Sequence, residues 1–308
     1  MPWLDVPTHL LSLLLLPFGL VLGSFCNVLI HRLPLEDAAE RNVTTKASHC
    51  PSCKAPIKPW HNVPLLGWLW LRGRCAACGW RIPFRYPLVE LLGGLLAAGS
   101  VWVLPFGTLV WLKGVVCAYA LLVLFFTDFT EFILPDALQF PLMALGVLFT
   151  LPGTFLPERT VTVFAADPQH LLKVDLWFNG LQAAPLWARY GAPVTPLQSL
   201  LGLAVGYGAP ALFNLLYKAI RRTDGMGMGD FKMLAWLGAF LGVGPMLGVL
   251  FLGAFLGAAV GVPLMLIRRE GGQMMLPFGC ALALAVLPVW FFGPLAWGWY
   301  MGTMAPGS

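Results

Sequence analysis

Two aspartates at the ends of apolar segments are the residues whose type and position suit them to chemistry. Asp230 closes the run Gly227-Met228-Gly229-Asp230, after the basic residues Lys218, Arg221 and Arg222, and an apolar segment follows it. An aspartate drawn to mid-membrane costs about 2.5–3.5 kcal/mol, and less near the interface, so its presence calls for a reason. Asp128 ends another apolar segment, within Thr127-Asp128-Phe129-Thr130-Glu131-Phe132-Ile133-Leu134-Pro135-Asp136. Two carboxylates brought to one membrane edge can hold a water between them and cleave a peptide. Both cannot ionise cheaply, so one keeps a proton and serves as acid while the other serves as base.

Each of these residues also has a structural reading. Asp230 suits a helix N-cap, although Gly225, Gly227 and Gly229 before it give more backbone freedom than a cap requires and make room for an extended strand. Asp128 suits an interfacial carboxylate paired with Lys232. Asp136, directly after Pro135, suits the cap of the next span. For Lys232 two readings stand: a cation that biases which aspartate stays charged, or an anchor at the interface.

The elements that must position these residues are membrane spans. The chain has 308 residues, 58% hydrophobic and only 11% charged, against about a quarter charged in soluble proteins. Apolar runs fall at 8–30, 88–105, 109–127, 133–152, 197–217, 231–243, 245–267 and 275–298, so the expected fold is an all-α polytopic membrane protein of about eight transmembrane helices. The run at 231–243 is short for a bilayer core of about 30 Å, which takes about 20 helical residues. Residues 31–86 carry nine lysines and arginines against three acids, which marks a cytoplasmic domain between the first two spans by the positive-inside rule. Simple alternation then puts Lys218, Arg221, Arg222, Arg268 and Arg269 on the same side, brings Asp128 and Asp230 to the cytoplasmic face, and leaves both termini outside. The expected organisation is a first transmembrane helix at 1–30, the polar domain at 31–86 and a transmembrane protease domain at 87–308, with an external loop at 153–196. Within that loop, the stretch from His170 to Tyr190 reads either as an interfacial segment or as a solvated connector. Paired acids also suit an ion or proton pathway in a transporter, but that function places acids at mid-membrane on broken, duplicated helices, and no duplicated half is visible here.

Four of the seven cysteines form two CxxC pairs, Cys50 with Cys53 and Cys75 with Cys78, with 21 residues between the pairs. That spacing reads as a four-thiolate zinc site, with reduced thiols or a disulfide pair as the alternatives. Four thiolates leave no open position for a water, so the role expected of zinc is structural. A polar stretch of this size buries little core on its own. Nucleic acid is not expected as a partner despite the net charge of +5, because Trp68 and Trp70 lie in an apolar stretch suited to the lipid bilayer or the helix bundle. Cys26, Cys117 and Cys280 lie in apolar runs and read as packing residues.

These motifs together resemble the type IV prepilin peptidases, aspartic proteases of the bacterial inner (cytoplasmic) membrane with a GxGD signature. Gly23-Ser24-Phe25-Cys26-Asn27-Val28-Leu29-Ile30-His31-Arg32-Leu33-Pro34 is similar to the family's opening motif, the double CxxC follows, and Arg85-Tyr86-Pro87-Leu88-Val89-Glu90 is similar to its RYPxxE. Asp128, seven positions before Pro135, matches the first catalytic aspartate, and Gly227-Met228-Gly229-Asp230-Phe231-Lys232 matches GxGDxK, which carries the second. Pro277-Phe278-Gly279 matches the start of a PFGP element, in which Cys280 stands for the usual proline. The loop at 153–196 is longer than the family pattern leads one to expect. The resemblance implies prepilin and pseudopilin substrates of type IV pili or type II secretion, with short basic leaders. It also implies S-adenosylmethionine-dependent N-methylation of the new N-terminus, for which it assigns no residues in this chain. The cysteine domain is basic and repels such a leader. Glu90, Glu131 and Asp136, at cytoplasmic span ends, are candidates to attract it, with plain interfacial solvation as the other reading.

Overall fold

The computed structural model describes residues 6–37, 40–43, 48–104, 109–151, 194–268 and 277–290. Apart from two isolated β-bridges, their regular structure is helical. The helices are α1 (Thr8–Arg32), α2 (Leu66–Trp70), α3 (Arg85–Val103), α4 (Leu109–Glu131), α5 (Asp136–Leu148), α6 (Pro196–Arg221), α7 (Met228–Leu241) and α8 (Val243–Arg268), followed by α9 (Phe278–Trp290). Five of them, α1, α3, α4, α6 and α8, are long and apolar enough to cross a membrane, while α5 and α9 are shorter apolar helices. The loop expected at 153–196 lies outside the described residues up to position 193, and so does the end of the last expected span.

Two departures from the apolar runs bear on the site. The run at 109–127 is expected to stop before Asp128, but α4 continues to Glu131, because Thr127 and Thr130 turn their hydroxyls onto the carbonyls of Leu124 and Phe126 and leave the helical ladder intact. Asp128 is therefore inside a helix. The run at 231–243 becomes α7, only 14 residues long. At about 1.5 Å per residue it reaches about 21 Å, less than the bilayer core. Gly242, at φ +82°, ends it in a conformation that α8 does not continue.

The chain divides into two compact units, one comprising residues 1–106 and 114–123, the other 107–113 and 124–308. In the first, α1 and α3 touch backbone to backbone. A Cβ on Gly23 would stand 2.8 Å from the Val89 carbonyl oxygen, and one on Gly93 would stand 2.7 Å from the Gly23 Cα. In lipid, where apolar burial gives little net drive, such small-residue contacts and interhelical hydrogen bonds hold helices together. Ser12 donates to the Ala98 carbonyl at 2.8 Å, Asn27 to Tyr86 at 3.0 Å, and Tyr119 to Gly93 at 2.6 Å. The polar stretch between α1 and α3 has little regular structure: a short 3₁₀ turn at Pro59–Asn62, the five-residue α2, and the two bridges.

In the second unit α7 is the core. From Asp230 to Leu241 every residue but Lys232 is buried, as befits a helix apolar on all faces. Helix α6 begins with a capping box between Thr195 and Gln198 and packs on α7 through two glycines. A Cβ on Gly202 would strike the Gly238 carbonyl, and one on Gly238 would strike that of Gly202. Ser199 donates to the Ala239 carbonyl at 2.8 Å, and Gly146 of α5 lies against Ala239 from another direction. Replacing Gly238 by Leu is expected to push α6 off α7. Thermal unfolding of the purified protein in detergent should show a loss of about 2 kcal/mol or more, given the usual cost of overpacking.

Candidate active site and metal centre

Asp128 stands one turn before the end of α4 and is only 5% exposed. Its Oδ2 accepts the backbone N–H of Cys280 at 2.8 Å. Pro277 precedes α9 and Phe278 opens it, so Cys280 belongs to its first turn, where backbone N–H groups have no partner within the helix and the helix dipole favours an anion. Gly279 makes the approach possible, because a Cβ there would stand 2.9 Å from the same carboxylate oxygen. The Cys280 thiol donates to the Phe125 carbonyl at 3.2 Å. Pro277-Phe278-Gly279 thus starts a helix whose first turn receives the carboxylate of Asp128.

Asp230 lies in the first turn of α7 and is 8% exposed. It is not the cap; Gly227 holds that position. The Asp230 N–H donates to the Gly227 carbonyl at 3.1 Å, and its carboxyl hydrogen-bonds back to the Gly227 backbone, which is the half of a capping box that the third helical residue supplies. The charge of Asp128 acts on Asp230, and both carboxylates act on the Cys280 thiol, so the three side chains share one neighbourhood. The structure therefore brings together the two aspartates that the sequence singles out, on α4 and α7.

Two positioning residues belong to no sequence motif. Leu134, in the turn between α4 and α5, meets both motifs: a Cβ on Gly229 would stand 3.0 Å from its Cβ, and one on Gly279 would stand 3.0 Å from its Cδ1. Asn214 of α6 holds the loop that leads to Gly227. Its Oδ1 accepts the N–H groups of Gly225 at 2.7 Å and Met226 at 3.2 Å, while its Nδ2 reaches Asp224. Lys218 pairs with Asp224 at 2.9 Å, and the hydrogen bonds from Lys218 and then Asn214 hold that carboxyl below its usual range. An asparagine in a long apolar helix is visible in the sequence, but its target is not.

The other acids fall elsewhere. Lys232 pairs with Asp136 at 2.6 Å, and Asp136 is the first residue of α5, with Pro135 at the cap position. Glu131 is exposed at the end of α4. Glu90, in the other unit, accepts the N–H of Leu65 at 2.8 Å.

In that unit the sulfurs of Cys50, Cys53, Cys75 and Cys78 lie within 4.8 Å of one another, with Cys50 and Cys78 4.0 Å apart. Four sulfurs at about 2.3 Å from a zinc ion stand about 3.8 Å apart, so the donor set fits. None of the four is in a disulfide. The two pairs are built alike. Cys50 donates its N–H to Ala55 and accepts from Lys54, while Cys75 donates to Trp80 and accepts from Gly79. A bridge follows each time, His49 with Pro56 and Arg74 with Arg81. Lys54 and Gly79, each just after the second cysteine of its pair, take φ of +58° and +72°. Backbone N–H groups of Cys78 and Ala77 lower the Cys75 thiol to about 7, which favours the thiolate that a metal requires.

Family comparisons agree with these motifs. The bacterial peptidase A24 N-terminal domain matches residues 17–104, and the type IV leader peptidase family matches residues 168–262. The prepilin leader peptidase/N-methyltransferase of Aeromonas salmonicida (strain A449) is 34% identical over 327 residues, covering 99% of this chain and 96% of the relative. Those of Neisseria gonorrhoeae and Stutzerimonas stutzeri are 31% and 33% identical, covering 87% and 88% of this chain and 85% and 86% of the relatives. No solved structure matches the chain with significance. Identity of about a third, sustained along nearly the whole of both chains, means that this chain belongs to the type IV leader peptidase family.

Proposed function

We propose that the chain is a membrane-embedded aspartic endopeptidase that removes the short basic leader of prepilins and pseudopilins and then N-methylates the new N-terminal residue. Its near full-length relatives carry both activities in their name. The catalytic assignment rests on one observation: the two aspartates of the family motifs lie buried in one neighbourhood, each tied to the first turn of a helix. Asp128 and Asp230 share a proton and hold the attacking water. One takes the water's proton as it adds to the scissile carbonyl, and the other protonates the departing amine. Gly227 caps the helix that carries Asp230, and Gly229 lies in its first turn against Leu134. Lys232 supports the site through Asp136 on α5.

The five long helices and the three shorter ones, α5, α7 and α9, make up the eight spans of an inner-membrane protein, organised as the segments 1–30, 31–86 and 87–308. The dyad faces the cytoplasm together with the basic four-cysteine domain. Zinc in that domain is held by Cys50, Cys53, Cys75 and Cys78 and fixes the backbone without entering the reaction. Trp60, Leu66, Leu69 and Trp70, each at least 61% exposed, face the lipid surface. Glu90, Glu131 and Asp136 serve the leader unequally. Asp136 is already paired with Lys232 and Glu90 already holds Leu65, so Glu131 is the acid best placed to attract the leader.

Asp128→Asn and Asp230→Asn are each expected to slow leader removal by about 10²–10⁴-fold. Wild-type cleavage of a basic-leader pilin by either variant, measured in membranes, would remove the dyad mechanism. Methylation of a precut pilin is expected to survive in both. Gly279→Ala should push the Asp128 carboxylate off the Cys280 N–H and lower kcat about 10- to 100-fold, since misplacement of a catalytic group by about 1 Å has effects of that size. For the metal, elemental analysis of the purified protein should find about one zinc per chain. Cys75→Ser should lose it, with a fall in thermal stability.

A further inference from the structure

The first unit contains a half-open cavity of about 660 Å³, lined by Asn27, His31, Trp68, Trp80, Tyr86 and Glu90 among others. That volume is in the range of small-ligand pockets, which combine aromatic walls with a few placed polar groups. We propose that this cavity, between the foot of α1, the start of α3 and the cysteine domain, is the binding site for the methyl donor S-adenosylmethionine. The proposal rests on the methyltransferase reading above and adds a location and residues to it.

Three observations carry it. Asn27 is 4% exposed; its Nδ2 donates to the Tyr86 carbonyl, but its Oδ1 has no partner. A buried carbonyl left unsatisfied is costly, so one at a cavity wall points to a donor from a ligand. Glu90 uses Oε2 on the Leu65 N–H, and a carboxyl group has acceptor capacity beyond that one bond. Leu65, held by that bond, stands at φ +59°, a conformation that costs a non-glycine residue energy and that clusters at ligand clamps.

The lining matches the donor's chemistry part by part. Trp68, Trp80 and Tyr86 offer faces for a purine, and the same faces with the Glu90 carboxylate favour a sulfonium cation. Asn27 Oδ1 and Glu90 accept from ribose hydroxyls or amino groups. Arg32, also in the lining and 5% exposed, supplies a cation for the carboxylate of the amino-acid end. When bound, the donor gives its methyl group to the free α-amine of the trimmed pilin: the C–S bond breaks with its electron pair left on sulfur, a C–N bond forms, and the amine releases one proton to water. Asn27 and Glu90 hold and orient the donor during this exchange.

The test uses the purified full-length protein in nanodiscs and radiolabelled S-adenosylmethionine. Equilibrium dialysis is expected to show binding to the wild type. Asn27→Leu, which removes the unpaired acceptor, should weaken it at least about tenfold, a usual effect for one hydrogen bond in a buried site. Val28→Trp, which keeps every hydrogen bond and fills the space, should do the same. Zinc content at the wild-type value certifies that each variant is folded, and if Asn27→Leu loses zinc, Val28→Trp decides. Ultraviolet cross-linking of the wild type should put label on peptides within residues 21–90. Label on peptides beyond residue 124, or unchanged binding in the folded variants, would overturn the location while leaving methylation standing. No binding of the donor to the wild type would overturn the methyltransferase reading itself.

Discussion

An amide N–H in the first turn of α9 meets the carboxylate of Asp128, and the second unit is built so that this meeting can occur. A carboxylate buried in an apolar helix needs a charged or hydrogen-bonding partner, and the catalytic role proposed for Asp128 needs one that does not cancel its reactivity. A lysine would neutralise it, and the nearby lysine, Lys232, is engaged with Asp136 instead. A helix N-terminus offers partial positive charge and an otherwise unused donor. Asp230 follows the same rule with the start of its own helix. Both acids are thus held by backbone, so the cost of burying them is met without a counter-ion that would compete with a substrate.

The candidate residues were legible in the sequence because they are of types that are expensive where they stand. Aspartates beside apolar runs and paired cysteines need an explanation, and the explanation is local. Most of the fold was legible for the same reason, since long apolar runs become helices of roughly their own length. The partners of the aspartates were not. Gly279 and Cys280 looked like a helix start and a packing residue, and their relation to Asp128 exists only through a contact 152 positions away in the chain. Asn214 and Leu134 are ordinary residues whose roles come from what folds against them. The end of α4 was misplaced because hydropathy drops at Thr127 while the backbone ladder continues.

The cysteine domain shows a different gap between pattern and structure. Its two halves have little in common in sequence beyond the CxxC, and no repeat is apparent by eye. Their backbones repeat each other bond for bond, down to the left-handed residue after the second cysteine. A metal asks for sulfur positions and for N–H groups near them, and the residues around each turn are otherwise free to differ. Lysine at position 54 and glycine at position 79 meet the same backbone demand at different cost, since only glycine takes that conformation without strain.

Leu134 belongs to no motif, yet it fills the space left by two glycines, one preceding Asp230 and the other preceding Cys280. Positions 134, 229 and 279 therefore share one volume, although each lies on a different element. In evolutionary terms they form a single character: a bulkier side chain at any one of them has to be repaid at another. Drift in this family should move these three positions in concert, while the aspartates they serve stay fixed.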